Sequence, residues 1–136
     1  MQKVKKPQAR LLRLVLAEDA LLLKNYASGE ARLLLAEVAK ITAKAPFRNM
    51  HTPYGHKMSV AMSNCGKYGW ISDSKGYSYA KFDPATGRPW PQMPKLFIEF
   101  AQTAANTAGF IRFKPDACLI NCYTAGTKLS LHQDRD

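Results

Sequence analysis

The stretch Asp116-Ala-Cys-Leu-Ile-Asn-Cys-Tyr123, followed by Thr124-Ala-Gly-Thr-Lys128 and Leu129-Ser-Leu-His-Gln-Asp134, decides how this chain is read. Its first eight residues alternate and are rich in apolar side chains, the pattern of a half-buried strand. Thr124 to Lys128 supplies a turn in which Gly126 is free to adopt positive φ. Leu129-Ser-Leu-His132 then resumes a period of two, so a second strand is expected, with His132 and Asp134 at its end. Side chains at i and i+2 of a strand point to one face. An imidazole and a carboxylate can thus be aimed at one ion, as two members of a 2-His-1-carboxylate set that leaves open positions on non-heme Fe(II). Two strands around a tight turn also bring Asn121, Tyr123 and His132 within reach of one pocket. The other histidines, His51 and His56, lie far upstream. Either one of them completes the metal set or the chain carries only part of it.

Working outward, a length of 136 residues with 46% apolar side chains fits one domain with its own core. The formal charge of +10 and the pI near 9.7 favour an anionic partner, nucleic acid first. Three cysteines, Cys65, Cys118 and Cys122, form no disulfide framework and suit a reducing cytoplasm. Cys118 and Cys122 fall on one face of the expected strand, where packing explains them, and a zinc site lacks suitably spaced further ligands. No apolar run approaches the roughly 20 residues that cross a bilayer. Leu11-Leu-Arg-Leu-Val-Leu16 is short, interrupted by Arg13 and followed by Glu18-Asp19, so it is read as an N-terminal arm rather than a leader.

Ala20 to Tyr26 reads as a strand or buried entry segment. Ser28 is the expected cap of a helix with Glu30 in its first turn and Leu33, Leu34, Val38 and Ile41 as its apolar stripe. From Phe47 to Pro94 the texture changes to short strands broken by Gly, Pro, Asn and Asp. Aromatic residues are dense there (Tyr54, Tyr68, Trp70, Tyr77, Tyr79, Phe82, Trp90) and interleaved with Arg48, Lys57, Lys67, Lys75, Lys81 and Arg88. Rings stack on bases while cations hold phosphates, so the mix suits an unpaired or flipped nucleotide; an aromatic hairpin packed on a core gives the same pattern. Lys95 to Ala108 is a second helix, stopped by Gly109.

The blocks Pro46-Phe-Arg-Asn-Met50, Thr52-Pro53, Met58-Ser-Val-Ala-Met-Ser-Asn-Cys-Gly66, Gly69-Trp70, Asp83-Pro84, Pro89-Trp-Pro91 and Asn121-x-Tyr123 with Leu129-Ser-Leu-His-Gln-Asp134 stand in a fixed order and spacing. Together they resemble the AlkB-type Fe(II)- and 2-oxoglutarate-dependent dioxygenases, which reverse alkylation damage on nucleic-acid bases. The likeness runs from about Leu16 to the last residue.

The resemblance implies an α+β, mainly β fold: a partial double-stranded β-helix, or jelly-roll, preceded by two helices and a nucleotide-recognition lid. Residues 1–15 would be a basic arm and 16–136 the N-terminal part of the dioxygenase domain, with the lid over about 47–94 and the jelly-roll starting over about 115–136. His132 and Asp134 match metal ligands, and Asn121 and Tyr123 match groups that hydrogen-bond the 2-oxoglutarate carboxylates. Trp70 matches the ring that stacks on the damaged base, Tyr77 and Met62 match pocket-lining positions, and Asp136 matches a position near the base edge. The implied cofactors are Fe(II) and 2-oxoglutarate. The implied partner is alkylated single- or double-stranded DNA, with RNA as the further candidate, met by a cytoplasmic monomer with no membrane role. The implied reaction hydroxylates an N-linked methyl carbon, and the hemiaminal collapses to the repaired base and an aldehyde. A base alkylated on a Watson–Crick nitrogen pairs poorly and is cheaper to extrude. In the family a further histidine ligand and two arginines that clamp 2-oxoglutarate come later in the chain than Asp136. The expectation is therefore an N-terminal portion that is inactive alone. The competing expectations are a non-catalytic nucleic-acid-binding module and an inactive gene fragment.

Overall fold

A computed structural model describes residues 12–133. In chain order the elements are β1 (Leu12–Ala17), β2 (Ala20–Lys24), α1 (Ala31–Lys44), β3 (Ala61–Gly66), β4 (Gly69–Asp73), β5 (Gly76–Ala80), α2 (Lys95–Ala108) and β6 (Ala117–Cys122). The strands pair antiparallel as β1–β2, β3–β6 and β4–β5. The class is the expected mixture of two helices with a mostly β remainder.

β1 and β2 form a hairpin whose Leu12, Leu14, Val15 and Leu16 are exposed. The strand crosses the junction between arm and domain expected at residue 15, and residues 1–11 lie outside the described residues. α1 starts later than its sequence signals suggest. Ser28 lies in a preceding turn, and Glu30 occupies the cap position with no side-chain cap bond. Its inward stripe is Leu34, Val38 and Ile41, spaced four and three residues apart. Leu33, expected in that stripe, falls about 100° round the helix from Leu34 and is exposed. α2 has the expected bounds, with Gly109 left-handed at its C-terminus and accepting no side-chain crowding there (φ 96°).

β3 is the centre of the molecule. Four of its six residues, Met62 to Cys65, are buried. Its register with β6 sets Met62 opposite Asn121, Asn64 opposite Leu119 and Cys65 opposite Cys118. Directly opposed residues share a face. One face therefore carries Ser63 and Cys65 with Cys118, Ile120 and Cys122, and it turns toward the end of α1, where the Ser63 hydroxyl donates to the Ala45 carbonyl. All three thiols are free, and Cys118 and Cys122 pack as expected. A thiol–thiol hydrogen bond, with burial adding to it, raises the Cys65 pKa, and the same bond lowers that of Cys118. The opposite face of β3 carries Met62 and Asn64 and meets the cluster of Met50 and Val60, with Met58, Trp70 and Ile71 around it.

The other edge of β3 is bridged by Arg48, whose N–H and carbonyl exchange bonds of 3.0 and 2.9 Å with Met62. The Arg48 guanidinium then ties down the loop after β5. It bonds the Asp83 carboxylate at 2.7 Å and lies over the Trp90 indole at 5.3 Å. Trp90 in turn donates to the Ala80 carbonyl at 2.9 Å and packs against Gly69, where any Cβ would overlap the indole.

A further expected feature differs in the structure. Leu129–His132 is not a strand; the segment after β6 is irregular and exposed. A strand needs a ladder partner for its backbone, and none of the described strands pairs with this segment. No helix of the described residues is long and apolar enough to cross a membrane.

Because Asp83 is almost wholly buried, Arg48→Ala strands a carboxylate in the interior. The expected loss is about 3–5 kcal/mol in urea unfolding. Arg48→Lys should recover only part of it, since one ammonium cannot both pair with the carboxylate and lie flat on the indole. A loss below about 1 kcal/mol, the range of surface pairs, would show that the loop is held by something else.

Candidate functional site

The site is built on the face of β3 that carries Met62 and Asn64. Asn64 is 1% exposed, and both ends of its amide are used. Its Oδ1 accepts from the Trp70 N–H at 2.9 Å and its Nδ2 donates to the Trp70 carbonyl at 3.0 Å. The side chain acts as a short piece of strand joining β3 to β4, and it fixes which way Trp70 points. Trp70 is half-buried and packs on the core cluster of Met50, Val60 and Met62. Its ring lies stacked with that of Tyr77, centroids 5.5 Å apart and planes 17° from parallel. The stack is diagonal across the β4–β5 hairpin, where Ser72 opposes Tyr77 and Trp70 opposes Tyr79. Tyr77 leaves about half its surface to solvent.

The expected site residues fall into three groups. Trp70, Tyr77 and Met62 come together, but Met62 is a core residue, 2% exposed, on which the indole rests. Asn121 stands opposite Met62 in the ladder, and Tyr123 follows two residues on, so the amide and phenol continue that face; both are exposed. His132 is separated from β6 by the turn at Thr124–Thr127, where the Thr127 N–H donates to the Thr124 carbonyl at 3.0 Å. Its Nδ1 lies 2.7 Å from the Ser130 carbonyl. A carbonyl only accepts, so Nδ1 is the donor in this contact. Asp134 and Asp136 lie outside the described residues.

Among the described residues no three His, Cys, Asp or Glu side chains gather as a metal site. His51 and His56 are exposed on a separate hairpin over 50–58 and form no such group with His132.

Along the chain leading to Trp70 the charge is one-sided. No carboxylate occurs between Glu37 and Asp73, while Lys40, Lys44, Arg48, Lys57 and Lys67 do. Of these Lys40 pairs with Glu37 at 2.6 Å, Arg48 is committed to Asp83, and Lys67 lies over the Tyr68 ring at 5.3 Å. Sequence reasoning missed Asn64, the residue that sets Trp70. The signal was an amide inside an otherwise uncharged buried strand, since such a group must find partners for all its polar atoms.

Residues 19–136 match the 2OG-Fe(II) oxygenase superfamily. The chain is 49% identical over 121 residues to the alpha-ketoglutarate-dependent dioxygenase AlkB of Escherichia coli (strain K12), a match covering 89% of this chain and 56% of the relative. The AlkB of Salmonella typhimurium (strain LT2) is 50% identical with the same coverage. An AlkB homolog of Caulobacter vibrioides (strain NA1000 / CB15N) is 44% identical over 105 residues, covering 77% of this chain and 46% of the relative. The chain thus spans about half the length of the curated relatives it matches.

Asn64→Ala removes both partners of the Trp70 backbone at once. It should cost about 1–3 kcal/mol for each group left unsatisfied. It should also flatten the near-UV circular dichroism of the Trp70–Tyr77 stack. Tyr77→Ala is the control: the same spectral loss is expected with little change in melting, because that ring is half in water. An Asn64→Ala protein with the parent spectrum would mean that packing alone orients Trp70.

Proposed function

The chain belongs to the 2OG-Fe(II) oxygenase superfamily, and from that premise we propose that it forms the base-recognition part and the first metal ligands of a dioxygenase that oxidatively demethylates N-alkylated bases in nucleic acid. The observation that carries this reading is the packing of Trp70 on Met62, whose direct ladder partner is Asn121. A stacking ring packed on the ladder partner of a polar anchor serves a reaction that must hold a flat base beside a small dicarboxylate. The carboxylate-free stretch from 38 to 72 supports an anionic polymer as partner, with DNA first and RNA second. The donor types, an imidazole, a carboxylate, an amide and a phenol, suit the expected cofactors. His132 and Asp134 would hold Fe(II). Asn121 and Tyr123 would donate hydrogen bonds to the 2-oxoglutarate carboxylates. When bound, Fe(II) and 2-oxoglutarate supply the oxidation of the N-linked methyl group.

The chain's own residues do the rest. Trp70 and Tyr77 offer stacked aromatic surface, and a base that adds to it gains contact on a face already held rigid by Asn64. Met62 supports the indole from below, so the ring cannot retreat into the core when the base presses on it. Residues 47–94 would act as the recognition lid, 115–136 as the start of the jelly-roll, 1–15 as a basic arm, and Asp136 would lie near the base edge. Three free thiols support residence in a reducing compartment such as the cytoplasm. The one-sided charge also supports a second reading, a module that binds nucleic acid without chemistry.

The test measures formaldehyde released from an oligonucleotide carrying one N-methylated base, in a form of the protein that turns this substrate over. His132→Ala or Asp134→Ala should abolish release, whereas His51→Ala and His56→Ala should leave Fe(II) affinity unchanged. Iron lost with His51→Ala but retained with His132→Ala would overturn the ligand assignment.

Trp70→Ala addresses recognition separately. A stacked base is worth about 1–3 kcal/mol, so oligonucleotide binding should weaken roughly 5- to 150-fold while Fe(II) and 2-oxoglutarate affinities hold. An early-melting mutant that still binds the oligonucleotide normally once folded would reduce Trp70 to a packing residue. Binding with no turnover in any form of the protein would favour the non-catalytic module.

A further inference from the structure

Cys65 and Cys118 have no task in the reading above. They stand directly opposite each other across the β3–β6 ladder. The far edge of β3 decides what kind of pair they form. Met62 exchanges both of its backbone bonds with Arg48, so its N–H and carbonyl point away from β6. That direction alternates along a strand, so Ser63 and Cys65 direct theirs toward β6. Gly66 turns away again, its N–H donating to the Pro91 carbonyl at 2.9 Å. Cys65 and Cys118 are therefore a hydrogen-bonded pair, a position at which Cα atoms stand about 5.5 Å apart. A disulfide spans about 4.4–6.8 Å between Cα atoms, so this pair can be bridged with its backbone in place.

The backbone on both sides of the pair is clamped. The Asp116 carbonyl accepts from the Lys67 N–H at 2.7 Å and from the Tyr68 N–H at 3.3 Å. Gly66 runs so close to it that a Cβ there would stand 2.6 Å from the same oxygen. Before the pair, the Ser63 hydroxyl is anchored on the Ala45 carbonyl. The two thiols are thus kept in register and on one face.

Their surroundings differ. Cys65 is wholly buried, whereas Cys118 is half-buried and can meet a small solute. The hydrogen bond between them, with burial, raises the Cys65 pKa, and the same bond lowers that of Cys118. The reachable sulfur is the one with thiolate character, the form that reacts. Cys122 shares the face, but its ladder partner is Ala61. Four residues of strand set it about 13 Å from Cys118, beyond bridging distance.

We propose that Cys118 is a site of oxidative modification by hydroperoxides, and that Cys65 resolves the product into a cross-strand disulfide. In the first step the Cys118 thiolate attacks a peroxide oxygen. An S–O bond forms, the O–O bond breaks, and the departing hydroxide or alkoxide takes a proton from water. Cys65 Sγ then attacks the Cys118 sulfenic acid. The S–S bond forms, the S–O bond breaks, and the hydroxyl leaves as water with the Cys65 proton. Two electrons pass from the thiols to the peroxide. The bond ties the strand of Asn64 to the strand of Asn121, three residues along β6 from Cys118. The inference does not depend on what the protein's substrate is.

The experiment treats the reduced 136-residue chain with hydrogen peroxide, blocks remaining thiols with iodoacetamide and maps unreduced peptides by mass spectrometry. The expected result is loss of two of the three thiols, with peptides of Cys65 and Cys118 joined and two hydrogens lighter. Cys122 should be alkylated, Cys122→Ser should give the same link, and dithiothreitol should restore all thiols. Cys65→Ser should stop at a Cys118 sulfenic acid that dimedone captures. Cys118→Ser should leave the Cys65 thiol intact. Mapping of the parent chain decides the matter even if either variant folds poorly. Peroxide that leaves both thiols alkylatable overturns the proposal. So does a link through Cys122, or a Cys118 oxidised further while Cys65 stays free.

Discussion

The arrangement of the site depends on one buried amide. Asn64 holds the Trp70 backbone by both its N–H and its carbonyl, so the β4–β5 hairpin meets the central strand in a single register. Side chains alternate along a strand, and a slip by one residue would reverse every one of them. Trp70 would then turn to the side now occupied by Gly69, where the Trp90 indole already fills the space. The two tryptophans thus enforce each other's orientation: one is excluded from the back of β4 by the other, and Asn64 locks the result. A buried amide with only one bond made would be a liability, and with both made it specifies the fold.

Charge is sorted by the same framework. The stretch from 38 to 72 has no carboxylate of its own, and two of its cations are paired from outside it, Lys40 with Glu37 and Arg48 with Asp83. There the guanidinium serves a structural purpose and is sandwiched between a carboxylate and an indole. In the proposed function the remaining lysines would steer an anionic strand, an effect that weakens as salt is added. Stability and recognition would then draw on different cations.

Much of this was legible in the sequence where the signal is local. The α2 helix from Lys95 to Ala108 follows from its periodicity and from Gly109, and the two faces of β6 follow from alternation. The features that were not legible depend on partners distant in sequence. Leu129-Ser-Leu-His132 alternates as well as β6 does, yet alternation only permits a strand, and a partner edge must exist to make one. Ser28 is a good cap by composition, but the preceding turn takes it up, and the helix begins at Ala31. For Asn64, the sequence shows a polar residue among small ones in β3. It does not show that the partner is a main-chain segment six residues later, reached through a turn. The hairpin over 50–58 had its own signal in Thr52-Pro-Tyr-Gly55, a turn sequence whose third residue is a large ring instead of the usual small polar one.

The site residues differ in how firmly the fold holds them. Trp70 is fixed by backbone bonds and by the core, and Asn121 by a ladder position opposite a buried methionine. His132 is positioned by its Nδ1 contact with Ser130 in an exposed, irregular segment. A base would thus meet a surface that is already organised, with little left to order on binding. A ligand gathered around His132 must instead bring its own segment into place, and part of its binding free energy goes to that ordering. In the proposed function, recognition of the base would therefore rest on strands already fixed, while the metal end of the site would gain its order from what it binds.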